Sequence, residues 1–261
     1  MKAGKVITLL LVLITISGSL YAQEKELVIN YNYKLNGSSV LHNENSFGPH
    51  GKIQTIAYGN KLISRQLWGT MPTYDESGNE LDQDTLYYYV VHDYTQNQIL
   101  TSTSHGMNVI VLKESLDLFA WELEEQTKTI LNYPCHKATC TFRGRDYEAW
   151  FTLELPFKAA PWKFHGLPGV VLEVYSTDGF CSWTAQSLEI KPHSKEIELP
   201  LDNAEIFNLE QHKKYIEKMK QQRLEMHKKR KIIDNGIQIP KKFAKAMEYQ
   251  IPETIEKFDL D

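Results

Sequence analysis

The stretch Pro161–Tyr175, PWKFHGLPGVVLEVY, combines a crowded turn with an apolar strand. In Leu167–Val170, proline presets φ for the first central position of a turn, and Gly169 accepts the positive φ of the second, which predicts a type II turn. The β-branched run Val170–Tyr175 predicts a buried strand. We therefore expect a rigid turn that directs this strand into the core. The motif consists of Pro161, Gly166, Leu167, Pro168 and Gly169.

Side chains alternate along a strand, so the predicted strand has two distinct faces. Val170, Leu172 and Val174 are expected on one face, and Val171, Glu173 and Tyr175 on the other. A carboxylate on a covered face has to be paired or lie at a cavity wall. The residues predicted to line a cavity or its mouth are Trp150, Trp162, Lys163, His165 and Glu173.

The N-terminus has the three parts of an export signal. Two lysines precede an apolar run from Val6 to Ile16, and small residues lead to Ala22, where we predict cleavage. The apolar run is too short for a membrane-spanning helix with its usual flanks. We therefore predict a leader at residues 1–22 and an exported mature chain.

The charge and the cysteine content indicate which classes of protein this chain can belong to and how its cysteines are arranged. The net charge of −4 argues against a dedicated nucleic-acid-binding protein. In an oxidising compartment, three cysteines are most simply arranged as one disulfide and one free thiol. The spacing of Cys135, Cys140 and Cys181 leaves the pairing open.

Short alternating segments separated by turn residues dominate from residue 23 to residue 203. Gly59-Asn60 is a strong hairpin turn signal, and residues 143–146 are expected to form the turn between two later strands. Met71–Asp84, with its proline, glycine and acids, predicts an exposed loop. Thr127–Tyr133 and Tyr147–Leu155 predict strands, the second half-buried. The pattern predicts a mainly β domain, an antiparallel sheet curled into a half-barrel or sandwich.

Residues 204–261 differ in composition from the rest of the chain. No Pro or Gly occurs between Ala204 and Ile232, which predicts one long C-terminal helix, followed by a tail that packs on the same domain. Between Lys213 and Lys231 there are nine Lys or Arg residues and only two acidic residues. The thin apolar stripe favours a solvated helix, and the charge favours peripheral membrane contact through residues 212–231 or contact with an acidic partner.

The chain lacks the common catalytic and cofactor motifs, such as G-x-S-x-G, H-E-x-x-H and the phosphate-binding loops. No cofactor is therefore predicted, and the nine scattered histidines lack the spacing of a zinc site, so no metal is predicted. A thiol enzyme would need Cys135 beside His165, because the adjacent His136 points to the opposite face of a strand. Glu154 and Glu173 would serve glycoside hydrolysis only across a cleft.

Residues 150–175 resemble the GLPGLI family, whose motif stands here as Gly166–Val171. The preceding KTILNYPCHKA segment, which starts at Lys128, is similar as well, while Ala159-Ala160 replaces a glycine that often precedes the proline. The resemblance implies an exported protein of a Gram-negative bacterium with no established activity. The strand order is also similar to that of periplasmic lipoprotein carriers, which are half-open antiparallel barrels; this is an analogy of fold alone.

The sequence therefore favours a non-catalytic binding or carrier module in the periplasm, or a secreted one. Its expected partner is an apolar or peptide-like ligand or an envelope protein, and not a nucleic acid. The alternatives are a structural accessory of an outer-membrane assembly and an envelope hydrolase or thiol enzyme. The export signal, the many aromatic residues and the lack of catalytic motifs support the first hypothesis.

Overall fold

The computed structural model describes residues 24–36, 50–74, 80–105, 108–193, 195–197, 199 and 204–234. The predicted leader at residues 1–22 and the predicted tail beyond residue 234 lie outside this part of the chain. The described residues form twelve strands and one helix, α1 (Leu209–Asp234). The strands are β1 (Lys25–Leu35), β2 (His50–Tyr58), β3 (Lys61–Tyr74), β4 (Glu80–Asp93), β5 (Gln98–His105), β6 (Asn108–Ser115), β7 (Glu122–Ile130), β8 (Tyr133–Phe142), β9 (Arg145–Thr152), β10 (Val170–Ser176), β11 (Cys181–Pro192) and β12 (Glu205–Phe207).

All twelve strands belong to one sheet, in the order β12-β6-β5-β4-β3-β2-β1-β11-β10-β9-β8-β7. Strands β2 to β6 form one meander and β7 to β11 form another. The first strand of the chain joins them, because β1 pairs with β2 on one side and with β11 on the other. The prediction of a mainly β, antiparallel architecture is confirmed. One pair departs from it: β12 runs parallel to β6.

The link between the two meanders requires the sheet to curl. Strand β6 is second in the order and β7 is twelfth, which in a flat sheet is a separation of about 48 Å. Only residues 116–121 connect them, and a chain of that length spans at most about 25 Å. The edges of the sheet therefore approach each other, and the predicted curled shape is confirmed. The sheet has an inner face, on the concave side, and an outer face.

Short hairpins account for most of the connections. Leu131 and Asn132 have φ of 49° and 67°, and Arg143 and Gly144 have φ of 46° and 72°, which is the pattern of two-residue turns that match strand twist. The predicted turn at Gly59-Asn60 is confirmed. Of the turn predicted at residues 143–146, only Arg143 and Gly144 form the turn, because β9 already starts at Arg145. The predicted strand Thr127–Tyr133 is wrong, because the β7–β8 turn interrupts it.

The loop predicted at Met71–Asp84 is wrong at both of its ends, while its centre, residues 75–79, lies outside the described residues. Strand β3 continues to Tyr74, and β4 starts at Glu80, with the two strands paired along this length. The pairing of β3 with β4 is irregular at two places in this region, with register shifts near Gly69 and Tyr74. Long antiparallel pairing thus overrides the local preference of the proline and the acidic residues for a loop.

Two hydrophobic clusters lie on opposite faces of the sheet. The main core fills the inner face and includes Leu27, Ile29 and Tyr31 of β1. The second, on the outer face of β1 to β4, consists of Val28, Ile56, Tyr58, Ile63, Tyr89 and Val91. Residues that follow β11 cover this second cluster, since the His193 ring stacks on Tyr58 at 4.1 Å.

The C-terminal helix begins later in the chain than the composition predicts. Residues Glu205–Phe207 add strand β12 to the edge of the sheet, and α1 begins only at Leu209. Asn208 is the N-cap: its side chain accepts a bond from Gln211 N at 2.9 Å, and the Gln211 side chain accepts one from Asn208 N. Within the described residues, no helix has the length and apolarity needed to cross a bilayer.

Candidate functional site

The segment between β9 and β10, residues 153–169, covers the inner face of the sheet; we call it the GLPG loop. Ala159, Ala160 and Phe164 are at most 4% exposed. Two backbone hydrogen bonds hold the base of the loop, one from Ala159 N to Gly169 O and one from Val171 N to Ala159 O. The chain itself therefore fills the concave side of the sheet.

The loop turns at places other than those the sequence predicts. The positive φ values belong to Trp162, at 53°, and Gly166, at 94°, whereas Gly169 is not in the left-handed region. The predicted type II turn at Leu167–Val170 is therefore wrong. A bond from Phe164 N to Pro161 O closes the turn around Trp162.

Gly169 is required for a different reason, which is close packing. A Cβ atom at this position would lie 2.0 Å from the carbonyl oxygen of Thr152, at the end of β9. Thr152 pairs with Val170, so the loop leaves and rejoins the sheet at adjacent points. The lack of a side chain at Gly169 allows that approach.

A buried ion cluster holds the loop to the sheet; we call it the Glu114 cluster. The Nζ atom of Lys163 lies 2.7 Å from Glu114 Oε2, and Arg143 pairs with the other carboxylate oxygen. The Lys163 and Glu114 side chains are 2% and 3% exposed. Burial by itself raises the pKa of the Glu114 carboxyl, but the charges of Lys163 and Arg143 outweigh it and hold that pKa below its ordinary value. The carboxylate thus joins β6, the β8–β9 turn and the GLPG loop.

Two histidines lie beside this cluster. His165 places Nδ1 2.7 Å from the carbonyl oxygen of Lys163 and Nε2 against the carbonyl oxygen of Leu116. His92 lies 3.2 Å from the same Lys163 oxygen through Nε2, and the two imidazole rings are 5.1 Å apart. Burial, with the charges of His165 and Lys163, lowers the pKa of His92 to about 3, so the ring is neutral at physiological pH. The imidazoles connect backbone segments inside the fold.

The predicted cavity residues Trp162, Lys163 and His165 are therefore buried parts of the core. Trp162 stacks on Trp183 of β11, with ring centroids 5.7 Å apart, and Phe164 packs edge-on against both rings. Trp121 donates a bond from Nε1 to the carbonyl oxygen of His165 at 2.7 Å. These contacts fill the place where the sequence predicts an open mouth.

The other two residues predicted for the cavity, Trp150 and Glu173, lie on the outer face. A register shift at Leu172 pairs Val171 with Phe151 and Glu173 with Trp150. Val171 therefore shares a face with Phe151, and the predicted strict alternation along this strand is wrong. The five predicted cavity residues thus divide between two opposite faces.

On the outer face, Trp150 and Glu173 form part of a polar and aromatic surface on β7 to β10; we call it the outer patch. The patch consists of Glu124, Lys128, Lys137, Thr139, Glu148, Trp150, Glu173 and Tyr175. Lys128 pairs with Glu173, and its Nζ atom lies 4.2 Å from the centroid of the Trp150 ring.

A second set of bonds continues the patch. The Tyr175 hydroxyl donates to Glu148 at 2.8 Å, and Lys137 lies 3.1 Å from Glu148 and 3.5 Å from Glu124. The Lys128 and Glu173 side chains keep exposures of 35% and 22%, so these two charges are partly accessible, whereas Trp150 is buried.

The three cysteines are free thiols, so the predicted disulfide is wrong. Cys135 pairs with Lys128 and belongs to the outer side of β8, whereas Cys140 pairs with Tyr147 and points to the inner face. Burial raises the pKa of the Cys135 thiol to about 11 and that of the Cys140 thiol to about 12, and it also raises the pKa of Cys181.

The raised pKa values suppress the thiolate that a nucleophile requires. Cys135 also lies across the sheet from His165, so the predicted pair of a thiol enzyme is not formed. Glu154 is exposed at the end of β9, and Glu173 is bound to Lys128. In the part of the chain that the structure describes, no three His, Cys, Asp or Glu side chains are placed to hold a metal ion.

Sequence reasoning missed Glu114 and Arg143. One signal could have identified Glu114: Ile110, Leu112 and Glu114 share a face of β6 by alternation, and that places a carboxylate on an apolar face. Arg143 gives no such signal, because an arginine in a turn is ordinary in sequence.

Comparisons with known proteins relate this fold to a glycanase domain. A family model described as "N-glycanase peptide, N-terminal domain" matches residues 82–209. Solved structures of PNGF-II are similar as well. The structure of PNGF-II in space group P21 has a TM-score of 0.50 and 16% sequence identity, and the match covers 73% of this chain and 32% of PNGF-II. The structure in space group C2 has a TM-score of 0.48 and 15% identity, with coverage of 70% of this chain and 31% of PNGF-II.

This chain therefore spans about a third of the length of PNGF-II. At such identity, the similarity to the P21 structure shows the fold alone. No curated protein has a matching sequence.

Proposed function

We propose that this chain is an exported, non-catalytic binding module that uses the outer patch to bind an extended segment of a partner polypeptide. The observation that carries the proposal is the distribution of polar groups between the two faces. On the inner face, Lys163 and Glu114 are buried and paired with each other, whereas Lys128 and Glu173 of the outer patch remain partly exposed.

The inner face gives little support to a carrier of apolar ligands. Trp162, Phe164 and Leu167 of the GLPG loop occupy the concave side, and each is at most 5% exposed. A ligand in that place would have to displace the loop and separate Lys163 from Glu114. Separating a buried ion pair costs about 3–5 kcal/mol, which few small apolar ligands would offset.

The outer patch has the features of a peptide-binding surface. Tyr175 supplies a half-buried aromatic group, and Lys128, Glu148 and Glu173 supply charges at fixed positions on rigid strands. The Trp150 ring is buried beneath Lys128 and supports it. Aromatic residues are enriched in protein interfaces because one end is apolar and the other forms hydrogen bonds. Charges of both signs suit a peptide, whose amides and side chains present donors and acceptors together.

The compartment and the family are part of the proposal. The leader pattern at residues 1–22 and the GLPGLI motif support an exported protein of the bacterial envelope. The match of residues 82–209 to the N-terminal domain of an N-glycanase is compatible with a domain of this kind. PNGF-II is more than twice as long, and the match covers only about a third of it, so its activity does not transfer to this chain with the domain.

Selection of peptides from a displayed random library on the purified chain, followed by titration calorimetry, tests the proposal. The informative variant is Lys128→Gln with Glu173→Gln, which removes the charges of one ion pair of the patch and keeps both side chains polar. Lys61→Gln with Glu196→Gln is the matched control, because it removes another exposed ion pair, at 3.3 Å, outside the patch.

We expect the patch variant to bind selected peptides at least about tenfold more weakly, and the control variant to bind like the wild type. Equal binding by all three proteins, or no peptide ligand at all, contradicts the assigned surface. Turnover of an amide, ester or glycopeptide substrate contradicts the non-catalytic role.

A further inference from the structure

Helix α1 carries a charge opposite to that of the rest of the chain. Between Lys213 and Lys231 there are nine Lys or Arg residues and two Glu residues, a net charge of +7 in a chain of net charge −4. The remainder of the chain therefore carries −11. Such asymmetry orients a protein in an external field, with the helix toward negative charge.

The cations cover most of the helix circumference. Successive residues of a helix are rotated by about 100° around its axis. On this geometry the Lys and Arg positions leave one stripe, about 100° wide, without a cation, and it contains Tyr215, Met219, Gln222 and Met226. This stripe faces the domain where α1 begins, because the Tyr215 ring lies 5.5 Å from Phe207 of β12.

The described side chains agree with this orientation. His212 is buried next to the sheet, while Lys214 and Lys218 are exposed. Lys214 forms an ion pair with Glu210 at 2.6 Å, but the pair is 75% and 76% exposed, and therefore weak. The helical backbone continues through Lys228–Lys231, so the densest run of cations lies more than three turns beyond the last of these contacts.

We propose that α1 docks the protein on a bilayer surface that contains anionic phospholipids, through its lysines and arginines and the lipid phosphates. A bilayer presents dense and laterally mobile phosphates, which match a broad arc of cations without a fixed register. A folded acidic partner would require one defined face. The apolar stripe is narrow and partly occupied by the domain, so the helix lies on the headgroups and does not enter the hydrocarbon.

Vesicle co-sedimentation tests the proposal, with the chain starting at Gln23. The vesicles are phosphatidylcholine alone, or phosphatidylcholine with one part in three of phosphatidylglycerol. The test variant carries Gln at Lys228, Lys229, Arg230 and Lys231, which are distant from the sheet. The control carries Gln at four exposed lysines of the sheet domain: Lys25, Lys34, Lys52 and Lys158.

We expect binding to the anionic vesicles only, weakened by salt, and about 100-fold weaker in the helix variant, because each cation near an anionic surface contributes severalfold to affinity. The control variant should bind like the wild type. Equal binding to both vesicle types, or equal losses in the two variants, overturns the proposal. Binding to soluble polyglutamate in preference to anionic vesicles assigns the helix to an acidic protein and also overturns it.

Discussion

Lys163 Nζ and Glu114 Oε2 lie 2.7 Å apart in a part of the fold that excludes solvent. Lys163 belongs to the GLPG loop and Glu114 to β6, so this contact attaches the loop to the far side of the curled sheet. Arg143 binds the same carboxylate from the β8–β9 turn. One carboxylate therefore compensates two cations, and the cluster depends on it more than on either cation.

Replacing Glu114 by Gln should destabilise the protein by about 3–5 kcal/mol, because Lys163 and Arg143 lose their buried counter-charge. Urea unfolding followed by tryptophan fluorescence measures the change. Glu210→Gln is the control, since that carboxylate is exposed on α1 and its removal should leave the unfolding midpoint unchanged. A Glu114→Gln protein as stable as the wild type would show that the cluster contributes little.

Stability should fall as the pH decreases from 7 to 5, through His92. The unfolded imidazole takes up a proton below its ordinary pKa of 6.5, whereas the folded one does so only near 3, so protonation favours the unfolded chain in this window. The loss at pH 5 is about 2 kcal/mol. Urea unfolding at the two pH values measures it.

His92→Gln should reduce this pH dependence, because glutamine does not titrate. His136→Gln is the matched control, since His136 is an exposed histidine on β8. If His92→Gln and His136→Gln show the wild-type slope between pH 7 and 5, the acid sensitivity has another origin.

Alanine at Gly169 should destabilise the protein more than alanine at Gly179. The new methyl group at Gly169 would overlap the Thr152 carbonyl, which is backbone and yields only if the loop moves; the cost is about 3 kcal/mol or more. At Gly179 no atom lies within 4 Å, and only the positive φ of 71° opposes the substitution, at about 1 kcal/mol. Thermal unfolding of the two variants ranks them, and the reverse order would refute the close approach.

Thiol titration in denaturant without reductant should find three reactive cysteines. In the folded protein, alkylation by iodoacetamide should be slow, because each thiol is buried and burial raises its pKa. Mass spectrometry after brief labelling of native and unfolded protein measures both quantities. A count of one thiol in denaturant would establish a disulfide and refute the arrangement seen here.

Local sequence patterns were sufficient for the strands and for two of the turns. Gly59-Asn60 and Arg143-Gly144 adopt hairpin turns because the required backbone conformations belong to those residues themselves. The alternation along β1 likewise identifies a strand. In these places the sequence and the tertiary structure favour the same conformation.

The inner site was not predictable in this way, since its conformation depends on contacts distant in sequence. Trp162, a bulky residue, adopts a positive φ because Trp183 and the buried Lys163 hold the loop around it. The Pro168-Gly169 pair promotes a type II turn locally, but the approach to Thr152 sets the observed conformation. The partner of Lys163 is 49 residues away, and no pattern within the loop specifies it.

The pairing of β1 with β11 determines when the protein can finish folding. Asn30 and Ser187 form a hydrogen bond across 157 residues of sequence, near the middle of the sheet. As the chain emerges from its N-terminus during synthesis, β1 appears long before its partner β11, while the intervening meanders can form hairpins by themselves. The two halves of the sheet therefore unite only after residue 192 has emerged, and until then one edge of β1 is available to chaperones or to misassembly.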